Sequence, residues 1–279
     1  MKIKSYAKIN IGLHIINRRP DNYHNLATVF QEIDFYDQIK IEKSNKMIFE
    51  SNVNWLDVTN NTCMAAVQLL KEKYLDIPNF KIELIKNIPT NAGLGGGSSN
   101  GTATLKAIDK MCGLNIDNQS MEEIAEKISA DSPFFVKGGY QGGENKGEKL
   151  TPIKDAKLNG YVLLVMPNIK IQTSEAFGFI KKYLVKGNSD IKLSQMLEEL
   201  QQNNLSSELF NNDFEMYVFK THPEIGKIKL KILDLGAKYA SLSGSGSTVF
   251  GIFSDKQNAL FAQSYFSPHY STIIANPKN

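Results

Sequence analysis

Apolar and polar residues alternate near the start of the chain. Ile9, Ile11, Leu13 and Ile15 fall on one face, and Lys8, Asn10, Gly12 and His14 on the other. Period two predicts a strand with one buried face. The turn-rich segment NRRPDNYHN follows, and then the strand-like ATVFQEIDFYDQIKIE. Residues 62–74 predict a helix capped by Asn60 or Asn61. FKIELIKNI alternates again and feeds straight into a cluster of glycines. Beyond it the pattern predicts a helix from about Ser98 to Met111, closed by Gly113 as a C-cap. SMEEIAEKISA predicts another helix, and a glycine-rich hairpin is expected near 138–151.

The pattern relaxes over IKDAKLN, so a domain boundary is expected at 155/156, with one domain over 1–155 and a second over 156–279. GYVLLVM opens the second half as a buried strand. Helical runs are expected at 174–185, 193–203, 208–220 and 224–235. A strand pair is expected around SLSGSGSTVFGIF, then a helix near 256–266 and a last strand, YSTIIA. Strands and helices in two layers in each half make the fold class α+β.

Composition narrows the partners. Of 279 residues, 42% are hydrophobic and 22% charged, and the formal net charge is +3 with the lysines scattered. No stripe of basic and aromatic residues suggests nucleic acid, and no run of eighteen apolar residues suggests a membrane span. MKIKSYAKINIGLHII is interrupted by Lys8 and Asn10 and does not read as a signal peptide. Cys63 and Cys112 sit in apolar helical runs, as packing thiols of a reduced compartment do, so a cytoplasmic protein is expected. His14, His222 and His269 show no metal-ligand spacing, and no protein-bound metal is expected.

Chemistry concentrates in IPTNAGLGGGSSNGTATL, where glycines separate a strand from a helix. Such a junction gathers unpaired N–H groups at the positive end of a helix dipole, and glycine lets a phosphate approach them. The expected cradle is Pro89, Thr90, Asn91, Ala92, Gly93, Leu94, Gly95, Gly96, Gly97, Ser98 and Ser99. No lysine follows the glycines as in a Walker A loop. The G-x-G-x-x-G count from Gly93 ends on Ser98, and a protein-kinase loop would have no helix after it.

PTNAGLGGGSS resembles the second motif of the GHMP kinases, which phosphorylate small alcohols. AKINIGLHIINRRPDNYHNL resembles their first motif and SLSGSGSTVFGIF their third. The likeness runs in order along most of the chain and is weakest over 185–235. It implies a two-domain fold: an N-terminal ATP-binding domain with a left-handed β-α-β crossover, and a C-terminal ferredoxin-like α/β sandwich. It also implies ATP as phosphate donor, with Mg²⁺ carried on the nucleotide. Asp131, in ISADSPFF, matches the catalytic aspartate and Lys8 the catalytic lysine. Gly244 and Ser245 match the turn over the phosphates, and Asn61 and Lys86 match positions around the nucleoside.

The RRPDNYH loop and the triple glycine resemble the branch of the family whose alcohol is methylerythritol linked to cytidine diphosphate. Tyr23 and His24 then match residues that stack on and hydrogen-bond the cytosine. Phe177 matches the aromatic on the base's other side, with Asn10 and Thr173 nearby. Another alcohol, homoserine or mevalonate, and a nucleotide-binding regulator without chemistry are the alternatives. Two stretches depart from the family pattern: Ser129 stands where glycine is usual, and GGYQGGENKGEKL lacks the usual hairpin pattern.

Overall fold

The structure, a computed structural model, describes residues 1–154, 156–184, 191–202, 204–205 and 208–278. The expected boundary residue 155 and the expected helix ends at 185 and 203 lie outside these. Two compact units emerge. Met1–Ala7, Tyr36–Thr90 and Gly95–Gly138 form the first, and Lys8–Phe35, Asn91–Leu94 and Gly139–Asn279 the second. Strands β1 (Lys2–Arg18) and β2 (His24–Ser44) are long and contribute residues to each.

In the first unit, β3 (Ile48–Ser51), α1 (Thr62–Lys73) and β4 (Asn79–Ile85) form a β-α-β unit with parallel strands, Ile48 opposite Lys81. The alternation reading does not anticipate β3, because four residues are too short to show a period. β4 runs antiparallel to the later part of β2, Gln38 opposite Ile85. The start of α1 is fixed by Asn61, whose Oδ1 accepts from Cys63 N (3.0 Å) and Met64 N (3.1 Å). Cys63, Ala66, Val67 and Leu70 then recur at helical spacing on one buried face. Helices α2 (Gly96–Cys112), α3 (Asn118–Glu126) and α4 (Phe134–Lys137) complete the unit. Ile39, Ile41, Phe80, Ile82 and Leu84 from the strands meet Val67, Leu70, Leu105 and Ile108 from the helices, each burial worth about 1.5–3 kcal/mol. Burial also pushes the Cys63 thiol up to about 11, as a packing residue requires.

In the second unit, the earlier part of β2 pairs with β5 (Tyr140–Asn145), which forms the expected hairpin with β6 (Lys149–Pro152). There follow β7 (Tyr161–Met166), α5 (Thr173–Leu184) and α6 (Leu193–Gln201). A 3₁₀ turn (Glu208–Phe210) precedes α7 (Phe214–Thr221) and α8 (Pro223–Asp234). The unit closes with β8 (Tyr239–Leu242), β9 (Val249–Phe253), α9 (Lys256–Phe266) and β10 (Ser271–Ala275). The sheet has the order β10-β7-β9-β8 and is antiparallel throughout, the ferredoxin-like β-α-β-β-α-β pattern with extra helices in the first crossover.

Two expectations change. The helix expected over 208–220 breaks at 211–213, because β1 takes that backbone: Leu13 N donates to Asn211 O and Asp213 N to Leu13 O, both at 2.9 Å. The polar face of β1 is also not solvated. Lys8, Asn10 and His14 are 1–3% exposed, as buried as the isoleucines between them. Each buried polar group is instead matched within the fold: His14 Nε2 lies 2.8 Å from Leu209 O, and its Nδ1 lies 3.4 Å from Asp213 Oδ1.

Candidate active site

The glycine segment turns through three left-handed positions, Asn91 (φ 54°), Gly93 (76°) and Gly95 (67°), and then enters α2. Pro89, Thr90 and Asn91 are exposed, and Ala92 and Leu94 are buried anchors. The helix starts at Gly96, two residues before the expected Ser98, because Gly96 and Gly97 join its first turn and Ser99 N already reaches Gly95 O at 2.9 Å. Gly95, as N-cap, supplies no side-chain oxygen, so the first amides of α2 are left for an outside acceptor.

The glycines serve different ends. A Cβ on Gly93 would lie 1.8 Å from Ser243 O, so glycine there is demanded by packing within the second unit. On Gly97 it would meet only Thr62 Cγ2, at 4.0 Å. Packing therefore demands glycine at 93 and does not demand it at 97.

In the second unit, Leu94 O accepts from Lys8 N at 3.0 Å, and Ala92 O accepts from Thr248 N at 3.3 Å. Ser243 Oγ donates to Gly93 O at 2.9 Å. Lys8 Nζ donates to Asn10 Oδ1 at 2.6 Å and lies 5.6 Å over the Phe30 ring. Asn10 Nδ2 donates to Thr28 Oγ1 at 3.0 Å, which donates in turn to Gly12 O at 2.6 Å. Gly244 lies beside Asn10, since a Cβ on it would be 3.5 Å from Asn10 Oδ1. Thr173, the first residue of α5, meets Ser245 hydroxyl to hydroxyl at 2.8 Å. Asn10 thus lies between Lys8 and Gly244, and Thr173 meets Ser245, the residue after Gly244.

The aromatic set lies in the same unit. His24 and Phe177 stack on each other, centroids 4.8 Å apart and planes 10° apart. Phe177 also meets Phe214 edge-on at 4.9 Å, so one ring is both core and surface. Tyr23 is 58% exposed, with Lys146 Nζ 5.3 Å over its ring. The turn beneath it is fixed by Asp21, whose carboxylate takes Tyr23 N at 3.1 Å and Arg19 Nε.

In the first unit, Asp37 is fully buried and gathers the Lys86 ammonium, the amides of Asn87 (2.7 Å) and Ile88 (2.8 Å), and Asn100 Nδ2 (2.9 Å). Asn100 Nδ2 also donates to Ser5 Oγ at 2.9 Å, and Ser5 Oγ to Ser99 Oγ at 2.8 Å. The Lys86 charge is therefore spent on the root of the glycine segment. Asn61 spends its Oδ1 on capping α1 and donates its amide to Asp57 O at 2.8 Å. Ser98, half-buried, accepts from Ser129 Oγ at 2.7 Å. Asp131 is half-buried in the turn just before α4.

Sequence reasoning missed the residues that support these motifs. Asn212 Nδ2 donates to Leu242 O (2.8 Å) and Gly244 O (2.9 Å), and Glu215 Oε1 accepts from Leu242 N at 3.0 Å. Both lie in the stretch of weakest family likeness. The available signal for Asp37 was a lone carboxylate inside an apolar strand, FYDQIKI.

Known proteins carry the same pattern. The family described as GHMP kinases N terminal domain matches residues 61–139, and that described as GHMP kinases C terminal matches 183–272. A protein of Caldanaerobacter subterraneus subsp. tengcongensis named 4-diphosphocytidyl-2-C-methyl-D-erythritol kinase is 36% identical over 269 residues, 94% of this chain and 91% of its own. A crystal structure of 4-(cytidine 5'-diphospho)-2C-methyl-D-erythritol kinase matches all of both chains, with a TM-score of 0.85 and 25% identity. A homoserine kinase from Cytophaga hutchinsonii shares the fold, with a TM-score of 0.71 and 18% identity over 98% of this chain and 93% of its own. The chain belongs to the GHMP kinase family, within the group of the 4-diphosphocytidyl-2-C-methyl-D-erythritol kinases.

Proposed function

We infer that this protein transfers the γ-phosphoryl group of ATP to the 2-hydroxyl of 4-diphosphocytidyl-2-C-methyl-D-erythritol, a step of the non-mevalonate route to isoprenoid precursors. The observation that carries the reading is the 36% identity to a kinase of that name across 94% of the chain. Residues 1–155 are assigned to the ATP-binding domain and 156–279 to the C-terminal domain of the family, in a cytoplasmic enzyme.

Phosphoryl transfer asks the protein mainly for positioning and for charge opposite the transferring group. The segment 89–99 is assigned to the phosphates, with the amides of α2's first turn as donors and the open side of Gly97 as the place of approach. Gly244 and Ser245 are assigned to the phosphates by their match to the family's third motif. Asp131 is assigned as the general base that takes the proton of the 2-hydroxyl as its oxygen bonds to the γ-phosphorus. The bond from that phosphorus to the bridging oxygen breaks, and ADP leaves. Lys8 supplies positive charge to the developing negative oxygens, held in place by Asn10.

Tyr23, His24, Phe177 and Thr173 are assigned to the substrate, the rings to its cytosine. Asn61 is assigned to the nucleoside of ATP, and Lys86, whose ammonium Asp37 holds, is assigned to support the backbone around it. Mg²⁺ is proposed as the companion of ATP, with phosphate oxygens as its main ligands. Ser98 and Ser99 fit beside it, since each hydroxyl keeps a free lone pair after accepting one hydrogen bond.

The deciding experiment measures ADP release from Mg-ATP with the cytidylyl alcohol, homoserine or mevalonate. Turnover is expected with the first. Turnover with homoserine or mevalonate and none with the first overturns the assignment.

A further inference from the structure

The turn that carries Asp131 is fastened to α2 by the hydroxyls of Ser129, Ser132 and Thr102, to which the transfer itself assigns no part. Ser132 N donates to Ser129 O at 3.1 Å, which closes a tight turn with Ala130 and Asp131 at its tip. Ser129 Oγ donates to Ser98 Oγ at 2.7 Å and lies 2.7 Å from Ser132 Oγ. Ser132 Oγ also reaches Ser98 O at 3.4 Å, and Ser132 O accepts from Thr102 Oγ1 at 2.8 Å. Both ends of the turn are thus pinned to the first two turns of one helix.

The direction of this chain of hydroxyls follows from counting hydrogens. A serine hydroxyl has one hydrogen to donate and two lone pairs. Ser129 gives its hydrogen to Ser98, so between Ser129 and Ser132 the donor is Ser132, which shares its one hydrogen between this 2.7 Å bond and the longer 3.4 Å contact to Ser98 O. Ser98, having accepted, keeps its own hydrogen for whatever lies beside the start of α2. The three hydroxyls run Ser132 to Ser129 to Ser98, and each polarises the next.

A glycine at 129 would make no such bond and would leave the turn freer. We propose that Ser129 is a positioning residue in this chain: its hydroxyl locks the Asp131 turn to Ser98 and presents the Ser98 hydroxyl as a hydrogen-bond donor toward the phosphates. The proposal rests on Asp131 acting as the base and on α2 receiving the phosphates.

Its test is kinetic, on the full-length enzyme. Ser129→Ala removes one neutral hydrogen bond and is expected to lower kcat about 3- to 10-fold, with the KM for the cytidylyl alcohol unchanged within about two-fold. Ser129→Thr keeps the hydroxyl and is expected to hold kcat within about two-fold of wild type. In an Asp131→Asn background, Ser129→Ala is expected to cost nothing further, because residues acting as a unit are non-additive. A wild-type kcat in Ser129→Ala overturns the proposal. So does an equal loss in both backgrounds, or a Ser129→Thr as slow as Ser129→Ala. Inactivity of the wild type toward the cytidylyl alcohol strikes the functional reading instead, and the same series is then measured with the alcohol the enzyme accepts.

Discussion

Lys86 in the first unit and Lys8 in the second are both buried, and different side chains position them. Lys86 ends on the carboxylate of Asp37, whose oxygens also bind two backbone amides and Asn100. Its charge is cancelled locally, and the pair fixes where the glycine segment leaves β4. Lys8 ends on the amide oxygen of Asn10, beside the face of Phe30. Asn10 Oδ1 orients that ammonium, and Asn10 is itself held by its bond to Thr28 Oγ1. Burial of a lysine therefore does not by itself mark chemistry, since both side chains are buried and only one is assigned to the transfer.

The sharpest way to break this contrast is to remove the charges in turn. Asp131→Asn keeps the shape and is expected to lower kcat by about 10²–10⁴ with ATP binding little changed. Wild-type turnover would put the base elsewhere. Lys8→Met is expected to lower kcat about 10²–10³-fold while the fold persists. Lys86→Met is expected to do the reverse, leaving Asp37 buried without its cation at a loss of about 3–5 kcal/mol in urea unfolding. The folded fraction should keep kcat within about three-fold. Equal kinetic losses in the two lysine variants would erase the distinction.

A smaller effect separates the two aromatic residues. Base stacking on an aromatic ring is worth about 1–3 kcal/mol, so Tyr23→Ala should raise the KM for the cytidylyl alcohol about ten- to a hundred-fold. Tyr23 is exposed, so its Tm should not move. Phe177→Ala also removes the contacts to His24 and Phe214, and should lower Tm along with affinity. An unchanged Tm there would place Phe177 wholly in the substrate site.

A last pair of variants divides the glycines. Gly97→Ala should weaken ATP binding about ten-fold in a direct titration, with stability unchanged. Gly93→Ala must push Ser243 aside at a positive φ, and should cost roughly 2–6 kcal/mol of stability. The opposite pattern would mean that the phosphates sit over Gly93.

Most elements were legible because their periodicity is strong: α1 begins at Asn61, and β7 reads as an unbroken apolar run. The glycine motif was legible because few other backbones need so many missing side chains. What failed depended on distant partners. The polarity of Lys8, Asn10 and His14 predicts solvent, and only tertiary contacts bury them. Asn212 looked like part of a helix, but β1 and the third-motif turn claim the backbone and side chain around it. The hydroxyl bond between Ser129 and Ser98, 31 positions apart, leaves no periodic trace.

Because β1 and β2 contribute to each compact unit, no single cut of the chain separates one unit from the other. A fragment beginning after residue 155 would keep β7–β10 but lose Leu13 and Ile15 from the core of that sheet. It would also lose the β1 carbonyl and amide that organise 211–213. The same holds for inheritance. A chimera of two relatives joined near 155 would set one parent's β1 against the other parent's Asn212, which pairs with Leu13, and Tyr239, whose hydroxyl accepts from Gly12 N at 3.1 Å. Exchange of catalytic and substrate modules by one crossover is thereby penalised, and the two halves of this enzyme are bound to evolve as one piece.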